Sequence, residues 1–342
     1  MLPLRLRLDA DALLANWRTL DRLSGPAACG AAVKANGYGL GATQVVTRLG
    51  AAGCRDFFVA TWAEAAALAP LRLPLAVLHG VREEDMATAL AGFARPVLST
   101  PTQIARWKEA GGGACDVMVD TGMNRLGVSI ADVTSGLLDG LAIDTLMSHL
   151  ASADEDSALN ERQRAAFAAL AGRTGGGRMS LANSAGIALG DGYRFDLTRP
   201  GLALYGGVPR EELAGDIRQV AFPETQILQR RTVQRGDTVG YNATWAAGTD
   251  TEVAVINIGY ADGYRRAFSD RGAASAGGVT LPVIGRVSMD LVALDVSAAA
   301  ALAEGDWVTL DYRLPEAAAA SGLSQYELLT GLGGRFDRYW QA

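Results

Sequence analysis

The first two-thirds of this chain alternates short apolar runs with alanine-rich stretches, and that alternation restricts the fold more than any other feature. The apolar runs lie at 29–34, 56–60, 74–78, 96–99, 115–120, 144–149, 179–182 and 196–199, and each reads as a strand. The first, Cys29-Gly30-Ala31-Ala32-Val33, has no polar alternation and so reads as buried on both faces. Stretches such as Trp62–Ala69, Glu83–Ala91, Thr102–Glu109 and Asn160–Ala171 read as the intervening helices. An opening helix over about 10–23 carries the stripe Leu13, Leu14, Trp17 and Leu20, with Asp9 or Asp11 as its cap. Eight strands in alternation with helices predict an α/β fold of the TIM (β/α)8 barrel type. An open doubly wound sheet is the alternative. No GxGxxG follows the first strand, which weakens its dinucleotide-binding version.

After about residue 223 the texture changes. Segments 227–233, 238–245, 251–259, 281–287, 291–296 and 307–310 read as strands separated by Gly, Asp and Asn turns, and helix signal returns only near 324–332. The expected division is a barrel over 9–222 and a smaller, mostly β domain over 223–342, joined by residues 1–8. Glycine-rich pieces at 111–113 and 175–177 read as loops. A phosphate-cradling role is weak for both, because neither has the P-loop lysine and Ser/Thr.

With 49% hydrophobic and 20% charged residues among 342, a large globular core is expected rather than disorder. A net charge of −6 gives no basic footprint for nucleic acid and suits a protein that handles small molecules. Cys29, Cys54 and Cys115 are odd in number and widely spaced, so buried thiols are expected, with no disulfide framework and no metal site. Arg5, Arg7, Asp9 and Asp11 interrupt the N-terminal leucines, which does not suit a secretory signal. No run approaches the ~20 apolar residues of a membrane span. The default expectation is a cytoplasmic location.

Barrel enzymes place their chemistry at the C-terminal ends of the strands. Lys34 ends strand one there, where desolvation would free a nucleophilic amine. Asp120 to Arg125 follow strand five, His149 ends strand six, Asn183 and Ser184 follow strand seven, and Arg199-Pro200-Gly201 follows strand eight. Loops after strands seven and eight commonly bind phosphate in this fold, and Ser184 with the Gly201 and Leu202 N–H groups could do so. His79, at the end of the third run, reads as a structural residue.

Several segments carry a further signal. Ala32-Val33-Lys34-Ala35-Asn36-Gly37-Tyr38-Gly39 resembles the cofactor-lysine segment of alanine racemases, pyridoxal-phosphate (PLP) enzymes that interconvert L- and D-alanine. Asp120-Thr121-Gly122-Met123-Asn124-Arg125-Leu126-Gly127, Ser148-His149-Leu150-Ala151-Ser152-Ala153-Asp154, Asn183-Ser184, Ile258-Gly259-Tyr260-Ala261-Asp262-Gly263-Tyr264 and Gly285-Arg286-Val287-Ser288-Met289-Asp290 resemble further family segments in the family's order. The resemblance implies that Lys34 binds PLP covalently and that Tyr38, His149, Asn183, Ser184, Arg199, Gly201 and Leu202 surround the cofactor. It implies that Arg125, Met289 and Asp290 meet the substrate, and that Tyr260 is a second base opposite Lys34. It further implies a homodimer in which the β domain completes the partner subunit's site. An arginine keeps its proton, so Arg199 would donate to the pyridine nitrogen and limit side reactions. Tyrosine is a poor base at neutral pH in its ordinary state. A positively charged His149–Arg199 pair is expected to assist Tyr260.

Two positions depart from the family pattern. Many members carry a carboxylated lysine where Met118 stands, so Arg125, expected in a shielded mouth, would need another anion, most simply chloride. Many also have a tyrosine where Gly334 precedes Arg335. A racemase for serine or a broader set of amino acids remains an alternative, as does a fold-related PLP decarboxylase. The decarboxylase would need a glycine-rich phosphate loop and a cysteine–aspartate pair, which are not found. A non-catalytic PLP carrier would lack Tyr260 and the β domain.

Overall fold

The computed structural model describes residues 2–173 and 177–341. Gly175 and Gly176 of the second glycine-rich piece lie outside the described residues, while 111–113 forms the turn that follows helix Pro101–Glu109. The chain divides into two compact units. One runs from Leu14 to Leu204 and adds Val208–Ile217; the other takes the chain up to Leu13, Tyr205–Gly207 and everything from Arg218 onward.

The first unit is a closed parallel barrel. Seven strands pair in sequence order: Ala31–Ala32, Phe57–Val59, Leu75–Val77, Arg95–Leu98, Cys115–Met118, Ile143–Met147 and Arg178–Ser180. Leu197–Thr198 closes the ring. On one side the N–H groups of Asp196 and Arg199 donate to Met179 O and Ala182 O; on the other, those of Ala28, Gly30 and Ala32 donate to Asp196 O, Thr198 O and Pro200 O. Strand one is therefore split at Gly30 into Ala28–Cys29, facing strand eight, and Ala31–Ala32, facing strand two. Inside, Phe58, Ala76, Val97, Met118, Met147 and Leu197 pack as one apolar cluster. Burying such side chains is worth roughly 1.5–3 kcal/mol each. Met118 is thus part of the apolar core of the barrel. The three cysteines are buried free thiols, each pushed up to about 12 by burial. Helix Ala10–Ser24 starts where Asp9 Oδ1 accepts from the Ala12 N–H at 2.7 Å, so Asp9 is the cap.

The second unit is a β sheet curled on itself. Strand Ala221–Val233 pairs with Trp307–Leu310 along its first part and with Thr251–Ile256 along its second, the register shifting between Ile227 and Gln229. The ring runs on through Val292–Asp295, Val279–Ile284 and Ala273–Ala276 back to Trp307–Leu310. Leu4–Asp9 and Asp337–Gln341 extend it at the edge. The expected strand over 238–245 is instead two short pieces, Thr238–Val239 and Trp245–Ala246, separated by a 3₁₀ turn in which Asn242 has positive φ. Helix Leu314–Ser321 precedes the expected one at Gln325–Thr330. No helix among the described residues is long and apolar enough to cross a membrane.

Candidate active site

Strand one stops at Ala32, and Lys34 opens a turn rather than ending a strand. Ala35, Asn36 and Gly37 have φ/ψ near 52/47, 54/49 and 63/46, and Tyr38 has φ 53: one turn of left-handed helix. For L-residues this conformation costs roughly 1–2 kcal/mol each. Hydrogen bonds hold it in place. Glu64 accepts from the Ala35 N–H at 2.6 Å and from the Ala60 N–H at 2.7 Å, while Asn36 Oδ1 accepts from the Ala42 N–H at 2.9 Å. Glu64 also closes the capping box of helix Trp62–Leu68 with Thr61, so one carboxylate fixes both the helix start and the lysine turn. That Thr-x-x-Glu pattern is the sequence signal by which Glu64 could have been found.

The turn carries Tyr38 inward, where it is buried. A Cβ on Gly201 would lie 2.2 Å from Tyr38 Oη, so the tyrosine requires glycine there. Asn183 Oδ1 caps the following short helix by accepting from the Gly186 N–H at 2.8 Å. Ser184 Oγ accepts from the N–H groups of Gly201 at 3.0 Å and Ala203 at 3.2 Å. Leu202, expected beside the cofactor, is buried in the same turn.

Arg199 is buried; it donates through Nη1 to Ser180 Oγ and through Nη2 to Ser148 O at 2.6 Å. Burial pushes its guanidinium down to about 10, and the Asp116 charge pulls the other way. Gln163 donates to His149 O at 2.9 Å and holds that strand end. The His149 imidazole is pushed down to about 3, first by burial and then by Arg199, Arg125 and Lys34. It is neutral near pH 7, so any positive charge of the expected His149–Arg199 pair lies on Arg199. The Lys34 amine is held below the ordinary lysine range, first by burial, then by Arg125 and Arg199, against the upward pull of Glu64. Arg125 is exposed in the single chain, not shielded, and forms no ion pair among the described residues.

The second unit gathers its own candidates. The Tyr260 and Ala261 N–H groups donate to Ser288 O and Met289 O at 3.0 and 3.1 Å. Gly259 packs so closely on this backbone that a Cβ would lie 2.2 Å from Met289 O. Tyr260, Met289 and Asp290 are thus brought side by side. The Arg266 guanidinium carbon lies 5.8 Å from the centre of the Tyr260 ring. Arg335 clamps the pair of segments. It donates to buried Asp262 at 2.6 and 2.9 Å and to Asp290 at 2.7 Å. The Asp290 carboxylate, expected at the substrate, is engaged by Arg335.

A parallel barrel whose mouth holds a desolvated lysine, a buried arginine with no carboxylate beside it, and hydroxyl and backbone donors after strands seven and eight defines a class. It is that of barrel enzymes built around an anionic cofactor. The alanine racemase N-terminal domain model matches residues 8–209 and the alanine racemase C-terminal domain model matches residues 220–340. The chain is similar to an alanine racemase of Acidiphilium cryptum, 44% identical over 352 residues that cover 97% of each chain. Among solved structures it is similar to the alanine racemase of Bartonella henselae with covalently bound pyridoxal phosphate, at TM-score 0.91, 33% identity and 99% coverage of both chains. It is equally similar to the biosynthetic alanine racemase of Pseudomonas aeruginosa, at TM-score 0.91, 31% identity and 100% coverage of both. The chain belongs to the alanine racemase family.

Proposed function

We propose that this protein interconverts L- and D-alanine with pyridoxal 5'-phosphate as its cofactor, using Lys34 and Tyr260 as bases on opposite faces of the substrate. The observation that carries this reading is Lys34: its amine is kept below the ordinary lysine range at the mouth of the barrel, on a strained turn anchored by Glu64. The residues fit the group. Ser184 Oγ and the N–H groups at Gly201 and Leu202 suit a phosphate, Gly201 leaves room for Tyr38 Oη, and Arg199 offers a permanent donor to the ring nitrogen.

When bound, the cofactor withdraws electrons from the substrate's α-carbon and acidifies its C–H bond. Racemisation then needs one group to remove the proton and another to return one from the opposite face. The Lys34 amine, favoured in its neutral form by burial, takes or gives the proton on one side. The Tyr260 hydroxyl serves the other, with the Arg266 guanidinium carbon 5.8 Å from the centre of its ring. His149 stays neutral and leaves Arg199 the charged donor at its level of the barrel. Arg125 receives the substrate carboxylate, and Met289 narrows the entrance.

The reading extends to a cytoplasmic homodimer in which Tyr260 and Met289 serve the partner subunit's Lys34 site. Exposed Met289, Leu291 and Tyr241 support a covered surface on the second unit. Chloride beside Arg125 takes the place of the carboxylated lysine, since Met118 is apolar core. Activity should then change when chloride is replaced by a larger anion and ignore bicarbonate. The deciding experiment supplies L-alanine and other L-amino acids, serine included, with added PLP and follows enantiomer formation and deuterium uptake at Cα. D-alanine should form fastest, and Tyr260→Phe should abolish conversion in both directions. A faster turnover of serine, or no D-alanine at all, would remove the proposal.

A further inference from the structure

The floor of the barrel is charged. Arg95 meets Asp116 at 3.2 Å and Asp144 at 3.4 Å, and Arg178 meets Asp56 at 2.7 Å and Asp144 at 2.8 Å. Three carboxylates thus face two guanidiniums, which leaves one negative charge in surplus. Asp116 is the innermost of the five, with no exposed surface. Its Oδ1 accepts from Arg95 Nε and from the Thr145 N–H at 3.1 Å, while Oδ2 is buried with no hydrogen-bond partner among the described residues.

Strand register places this surplus beneath the active site. Asp116, Thr145 and Arg178 lie in one row across strands five, six and seven, and Met118, Met147 and Ser180 lie in the row two residues nearer the mouth. Two residues of strand rise about 6–7 Å. Arg199 donates to Ser180 Oγ, so its guanidinium sits one layer above Asp116, with the apolar Met118 and Met147 at its own level. Among the described residues Arg199 donates to one hydroxyl and one carbonyl and forms no ion pair with a carboxylate. A buried guanidinium without a nearby anion is strongly disfavoured.

We infer that Asp116 is a positioning residue whose negative charge, one layer down the barrel, offsets the burial of the Arg199 guanidinium and holds it seated where the function proposed above uses its donors. The barrel interior is then neutral as a column: Asp56, Asp116 and Asp144 against Arg95, Arg178 and Arg199. Burial pushes the Asp116 carboxyl up to about 6, while the Arg95 guanidinium 3.2 Å away favours its ionised form. The role assigned to Arg199 rests on the function proposed above; the charge pairing itself does not.

A double-mutant cycle on the full chain without added cofactor separates the two. Asp116→Asn preserves shape and the acceptor for Thr145, and Arg199→Gln removes the opposing charge. Each single variant should unfold more easily in urea. The double variant should be more stable than the sum of the single effects predicts, by at least about tenfold in the unfolding equilibrium constant. Asp116→Asn combined with Val46→Ala, an uncharged core change on helix Ala42–Ala52 outside the barrel strands, should show additive effects. A purely structural Asp116 would give additivity in both cycles and overturn the inference. If Asp116→Asn does not fold, the double variant decides: a folded double variant supports the pairing and an unfolded one overturns it. Because no turnover is measured, failure of the racemase reading would leave this result standing.

Discussion

At the scale of single residues, burial and neighbouring charge set which proton each group holds. His149 lies well below its ordinary value of 6.5 in the folded chain, at about 3. Between those two pH values the unfolded chain binds a proton that the native state refuses. Stability contributed by neutral His149 is therefore complete above pH 6.5 and drains away as the pH falls toward 3. His149→Gln, which cannot titrate, should flatten the stability curve across that window when unfolding is measured from pH 4 to 7. Parallel curves for the two proteins would contradict the depressed value. The residues proposed for the site, Lys34, Arg125, His149 and Tyr260, were legible as candidates because they stand in segments that resemble alanine racemases. The protonation of His149 was not, since it depends on burial and then on Arg199, Arg125 and Lys34 converging from distant parts of the chain.

At the scale of elements, a strained turn is held by a well-formed helix start. Glu64→Ala would remove the acceptor for Ala35 and Ala60 and open the capping box at once. A loss of about 2 kcal/mol in urea unfolding is expected, with a larger proportional fall in activity because the Lys34 turn loosens. Thr61→Ser, which keeps the cap, should leave both near wild type; equal losses from the two changes would show that the turn does not depend on Glu64. In the other unit, Arg335→Ala would strand the buried Asp262 carboxylate. Since Arg335 is half exposed, solvent softens the effect to roughly 1–2 kcal/mol, and Asp290→Asn should cost less. Thermal unfolding of the two variants tests that order. The barrel strands were readable because short apolar runs leave little choice of structure. Ala273–Ala276 carried no such pattern, being small residues that become a strand through the neighbours that pair with it on both sides. Leu4–Asp9 had a clear Leu-Arg-Leu-Arg alternation, with buried leucines alternating with half-buried residues to match, yet its partners lie more than two hundred residues away. The left-handed turn was hidden because Ala35 and Tyr38 are residues that seldom adopt positive φ.

At the scale of the molecule, the two bases of the proposed mechanism come from different units of the chain. If the homodimer proposed above pairs them across subunits, mixing Lys34→Ala chains with Tyr260→Phe chains should regain about a quarter of wild-type turnover. That follows because half of the random pairs are mixed and each mixed pair rebuilds one site of two. Inactive mixtures of chains shown to exchange would place both bases within one subunit. The placement of Leu4–Asp9 has a consequence for how the chain comes off the ribosome. Every strand of the parallel barrel has been made by about residue 200, whereas Arg5 must wait for Asp337, its register partner. At a synthesis rate of roughly 5–20 residues per second, that wait lasts about 20 to 60 seconds. During it, an amphipathic strand of alternating leucine and arginine stays without its final neighbour, attached to a barrel that is free to fold. A nascent chain stalled near residue 220 should therefore resist protease from Leu14 onward while the segment before it is still cut.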